Sequence, residues 1–119
     1  HNVEVFTNPE TNTVIPVAYD FDYSGFVNTK YAVPHESMPI EHVTERFNKS
    51  ICIDEELCEK TRLLFLEKKE ALLDCCRQCI YLEPKSRAKT ANYLEGFFKV
   101  IEDPKDAQRI FVKDCRTLH

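Results

Sequence analysis

Residues 54–82 contain neither glycine nor proline, and their apolar side chains recur at helical spacing. A run of that length and pattern is expected to fold as a long helix, and the rest of the chain must be arranged to cover it. Asp54 has the short acceptor side chain of an N-cap, and Glu55 and Glu56 complement the positive end of the helix dipole. The expected stripe is Leu57, Thr61, Leu64, Phe65, Lys68, Leu72, Cys75 and Cys79, broadened by Leu63, Leu66, Leu73 and Ile80. A stripe that wide predicts cover on two sides. The dense polar run at 67–70 predicts a kink.

Prolines punctuate the flanks. Pro39 suits the first turn of a short helix with Ile40, Val43 and Phe47 on one face. Pro84 ends the long helix and opens another carrying Ala88, Ala91, Leu94, Phe98 and Ile101. Asp103-Pro104 separates that from a last helix with Ala107, Ile110, Phe111 and Cys115. Connections this short favour antiparallel neighbours. Two glycines and 30% charged residues also favour helices over a glycine-rich sandwich.

The N-terminal part reads differently. Residues 2–6 alternate polar and apolar as a half-buried strand does, 7–12 form a turn cluster around Pro9, and 13–22 read as a second strand. Pro16 lacks a donor and is expected on an unpaired edge or at a bulge. Alternation along the second strand would put Asp20 and Asp22 on one face and Tyr19, Phe21 and Tyr23 on the other. Two neighbouring carboxylates can hold a hard divalent cation through oxygen. They can equally cap a turn at Ser24-Gly25. Residues 23–38 read as an ordered loop anchored by Tyr23, Phe26, Tyr31 and Val33.

The expected fold is therefore mainly α, with an N-terminal β-hairpin packed on a bundle of about four helices. It divides into a hairpin with its acidic motif at 1–25, a loop at 26–38 and a helical bundle at 39–119, as a single domain or a fragment of a larger one. Net charge is −4 with no basic stripe, which argues against nucleic acid as a partner, and no apolar run is long enough for a membrane span. The first residue is His1 rather than Met, as expected of a processed product or a piece of a longer chain. Of six cysteines, Cys75, Cys76 and Cys79 form the densest group, but no second C-x-x-C completes a zinc site, and buried thiols along a helix face are the plainer reading. Cys52 and Cys115 flank the helical region and would pair in an exported protein. Asn48-Lys49-Ser50 matches a glycosylation sequon, a pattern short enough to recur by chance.

His1-Asn2, a strand, a turn, a second strand and then Asp20-Phe21-Asp22 resemble an arrangement in protein-kinase-like folds. There, an asparagine ending the catalytic loop and an aspartate after the next hairpin both ligate the metal that bridges nucleotide phosphates. The run Pro16-Val17-Ala18-Tyr19-Asp20-Phe21-Asp22-Tyr23-Ser24-Gly25-Phe26-Val27-Asn28, with Tyr31-Ala32-Val33-Pro34, resembles the C-terminal part of an uncharacterised exported bacterial family. Members of that family read H-N…P-V-P-Y-D-F-D-[FY]-S-G-L-V-N…Y-A-x-P. Arg46, Cys52, Tyr93-Leu94, Phe97 and Cys115-Arg116 extend the likeness over essentially the whole chain. The family is in turn similar to the CotH-like atypical kinases.

The resemblance implies part of a kinase-like C-lobe of unknown substrate, periplasmic or secreted. Asn2, Asp20 and Asp22 would hold Mg²⁺, with nucleotide bound only in the full-length parent. Asp22 stands where ordinary kinases have glycine, and no catalytic base, nucleotide-binding lysine or phosphate-covering loop is present. No catalytic residue is therefore assigned, and the chain is expected to be inactive by itself, its partner being the upstream part of the parent. The alternative is a helical protein-interaction module with no catalytic role.

Overall fold

The structure, a computed structural model, describes residues 2–116. His1 of the family motif lies outside them. The fold is mainly α with a small N-terminal hairpin, and it divides into two compact units, one ending at Arg46 and the other beginning at Phe47.

In the first unit, β1 (Val3–Thr7) pairs antiparallel with β2 (Val14–Ala18), placing Val3 opposite Ala18 and Val5 opposite Pro16. Thr13 O accepts from Asn8 N at 2.9 Å at one end, and Asn2 O accepts from Tyr19 N at 2.9 Å at the other. Hydrogen-bonded pairs alternate along an antiparallel ladder, so Val5 and Pro16 fall on a non-bonded pair. The missing proline donor thus costs no ladder bond, and Pro16 needs no bulge. The turn is closed by Asn8, whose Oδ1 accepts from Glu10 N at 2.9 Å and Thr11 N at 3.3 Å.

Two expectations fail in this unit. The second strand ends at Ala18 rather than at 22, because Asp20 adopts a left-handed backbone with φ 55°. The expected short helix after Pro39 does not form. Residues 36–39 and 41–45 are turns and bends, and the Glu45 carboxylate accepts from the amides of Glu41 at 2.9 Å and His42 at 2.7 Å. A helix that short has little to repay its nucleation when its apolar face finds no core.

Among the described residues the second unit holds four α-helices. They are α1 (Glu55–Glu67), α2 (Lys69–Arg77), α3 (Pro84–Glu102) and α4 (Pro104–Gln108), the last running into a π-helical turn, Arg109–Lys113. Asp54 caps α1, its Oδ1 accepting from Leu57 N at 2.7 Å. The expected long helix breaks at Lys68, inside the polar run, and stops at Arg77. Pro84 opens α3, and Asp103 caps α4 by accepting from Lys105 N at 2.8 Å. Leu73, Phe98 and Ile101 form the buried centre, with Leu66, Leu94, Phe97 and Phe111 packed against it. Lys69 reaches Glu102 at 2.6 Å and Arg77 reaches Glu95 at 3.0 Å, pinning both ends of α2 to α3.

The buried face is one residue out of phase with the expected stripe. Cys58, Leu73 and Cys76 are buried, whereas Leu57, Leu64, Phe65, Leu72 and Cys75 remain exposed, so α1 and α2 are covered on one side rather than two.

The start of this unit is stitched to its end. Ile51 and Arg116 form a parallel bridge, with Arg116 N donating to Ser50 O and Cys52 N to Arg116 O, both at 3.1 Å. Cys52 and Cys115 form a disulfide across it, closing a sequence separation of 63. The last carbonyls of a helical segment have no partner inside it. Ile110 O accepts from Asn48 Nδ2 at 2.7 Å, and Phe111 O from Ile53 N at 3.4 Å. The sequon asparagine therefore spends its amide inside the fold.

Candidate functional site

The three residues expected to hold a cation, Asn2, Asp20 and Asp22, lie where the hairpin runs out. The strand alternation that was to align the two acids does not apply, since both follow the end of β2. Two separate sets of contacts hold the residues instead. Asn2, itself left-handed with φ 63°, donates from Nδ2 to Asp20 O at 3.0 Å across the mouth of the hairpin. Asp22 Oδ2 accepts from the Tyr31 hydroxyl, and Asp22 O accepts from Thr29 Oγ1 at 2.9 Å.

The intervening chain is bent back to permit this. Ser24 N donates to Phe21 O and Asn28 N to Ser24 O, each at 2.8 Å. Ser24 Oγ accepts from Val27 N at 3.2 Å. Asn28 takes the left-handed conformation that asparagine tolerates, with φ 52°. Tyr23 and Tyr31 meet edge to face with centroids 6.0 Å apart, although both rings, like Phe26 and Val33, stay exposed.

Electrostatics joins the two acids at one phenol. The Asp22 carboxylate, as hydrogen-bond acceptor, holds the Tyr31 hydroxyl above its ordinary pKa. Loss of solvent and the charges of Asp22 and Asp20 push the same way, against a smaller downward effect from Thr29. Both carboxylates are exposed and open to an ion from solution.

The donor set is oxygen throughout, which suits a hard cation. It is also sparse. Asn2 can offer only its Oδ1, its Nδ2 being a donor engaged by Asp20 O, and one Asp22 oxygen is shared with Tyr31. Among the described residues no three His, Cys, Asp or Glu side chains cluster tightly enough to hold a metal. These residues fit Mg²⁺ only in its usual manner, with one or two carboxylates and the remaining positions filled by water or phosphate.

The thiols do not make a second centre. Cys75 is exposed, Cys76 buried and Cys79 half-buried. Burial raises the Cys76 pKa, so that thiol stays protonated at neutral pH. Tyr31 is the site residue that sequence reasoning placed only as a loop anchor. The available signal was a second tyrosine following the acidic turn, within reach of a hairpin end. No helix among the described residues is long and apolar enough to cross a membrane. Comparison with protein-family models, with curated proteins and with solved structures finds no match to this chain.

Proposed function

We propose that the segment from Asn2 to Tyr31 is the cation-holding half of a kinase-like phosphotransfer site, inactive in this chain alone. The observation that carries the reading is the Asn2–Asp20 hydrogen bond. It brings an asparagine before a hairpin and an aspartate after it to the same end of the ribbon, in the order that kinase-like folds use to ligate a nucleotide's metal. Asp22 supplies a second carboxylate, steadied by Tyr31. Phosphoryl transfer rests on positioning and electrostatic stabilisation, and this chain offers only the metal side of that arrangement. The exposed hairpin residues Val3, Val5 and Val14, which share one face of the ribbon, suit a surface that a longer parent chain covers.

Titration with Mg²⁺ and then Mn²⁺, followed by NMR, tests the reading. Shifts, and then paramagnetic broadening, are expected first at Asn2, Asp20, Asp22 and the Tyr31 ring, and are lost in Asp20→Asn/Asp22→Asn. Broadening spread evenly over exposed acids such as Glu55 and Glu56, or phosphotransfer by the chain alone, would refute it. A second reading, a helical interaction module, is favoured by the exposed Leu57, Leu63, Leu64 and Phe65 of α1, and predicts no site-selective response to either ion.

A further inference from the structure

The second unit has a cleft of about 260 Å³, open on one side to solvent, between α1, α3, α4 and the π turn. Phe65 and Phe97, edge to face at 5.6 Å between centroids, form one wall. Ile53 and Phe111 form another, and these two are joined by the Ile53 N to Phe111 O hydrogen bond beside the Cys52–Cys115 disulfide. We propose that this cleft is a binding site for a small neutral aromatic molecule of one or two rings, held in shape by the disulfide-bonded clasp.

Three observations fix the chemistry of the occupant. The walls are aliphatic and aromatic, as in sites that take up apolar guests. The volume lies just below the range of drug-sized sites and leaves room for a small molecule. The one charged lining residue, Arg62, is already satisfied. Its Nε and Nη2 each donate to the Glu59 carboxylate at 2.7 Å, and its Nη1 donates to Ile101 O at 3.1 Å. An anionic guest therefore finds no unpaired cation here. Cys58, buried at the cleft wall, donates its thiol to Ala107 O at 3.9 Å and adds no charge, since burial raises its pKa. Thr61 contributes a single neutral hydroxyl-bearing side chain at the lining.

Fluorescence titration of the disulfide-bonded chain with 1-naphthylamine, and with the sulfonated 5-aminonaphthalene-1-sulfonate as its charged counterpart, tests the proposal. One equivalent of the neutral amine is expected to bind, with the sulfonate at least tenfold weaker. Intermolecular NOEs from the amine to the rings of Phe65, Phe97 and Phe111 in the unaltered chain locate the site independently of any variant. Thr61→Phe, checked for retained helical circular dichroism, should weaken binding at least tenfold. Cys52→Ser/Cys115→Ser should weaken it severalfold by loosening the Ile53 and Phe111 wall. The proposal is overturned by unsaturable binding, by equal binding of the sulfonate, by NOEs to other residues, or by full binding in a folded Thr61→Phe chain. Dimerisation that expels the amine as chain concentration rises would assign the cleft to a second copy instead and overturn it as well.

Discussion

Tyr31 and Asp22 share one proton-mediated contact, and the pH dependence of the acidic turn follows from it. The neutral phenol donates to the carboxylate, and removing that proton would place a phenolate beside Asp22 and within reach of Asp20. The folded pKa of Tyr31 is raised, so the contact is fully present below the ordinary phenol pKa and is lost as pH rises through the raised one. Absorbance titration near 295 nm should find one of the five tyrosines ionising late, and Asp22→Ala should return it to the ordinary range. An unchanged tyrosine profile in that variant would mean the contact does not exist in solution. Asp22 itself was visible in the sequence as half of an acidic pair. Its partner was not, because a hydroxyl nine residues away reaches it only after the turn at Ser24 and the left-handed residue Asn28 have folded the loop back.

Helix ends were readable where a single side chain decides them. Asp54 caps through its own carboxylate, Pro84 fits a first turn that has no use for its missing N–H, and Asp103 precedes Pro104 in the same way. The face each helix buries was harder to read, because the apolar residues come in adjacent pairs. Leu72 stands next to Leu73 and Cys75 next to Cys76, so a period near 3.6 fits either phase. Packing against Phe98 and Ile101 selects the second of each pair, leaving Leu73 1% exposed and Leu72 36% exposed. Leu73→Ala is accordingly expected to cost about 3 kcal/mol, and Leu72→Ala less than about 1 kcal/mol, by urea denaturation. Equal losses would place both residues in the core and return the helix to the two-sided cover its sequence suggests. The segment after Pro39 was misread because local spacing alone cannot supply the partner surface a short helix needs.

The two units differ in how they are held. Among the described residues every buried side chain belongs to the second unit, while the hairpin ribbon, a two-stranded sheet, is of a kind that is marginal without further cover. The second unit carries the Cys52–Cys115 disulfide, which closes a separation of 63 residues, and loop-closure entropy makes such a link worth about 4 kcal/mol. Reduction should therefore lower the urea midpoint of the helical signal by a corresponding amount. A midpoint indifferent to reductant would mean that the hydrogen bonds of the clasp suffice without it. The pairing itself was foreseeable from cysteine position only on condition of an oxidising compartment, because sequence carries no distance. The same link has a mechanical consequence. Cys52 and Cys115 lie 5.0 Å apart between Cα atoms, and all four helices sit on the loop between them. Tension drawn between the two ends of this unit would pass through one covalent bridge and bypass the helices, which would remain slack and folded until the sulfur–sulfur bond gave way.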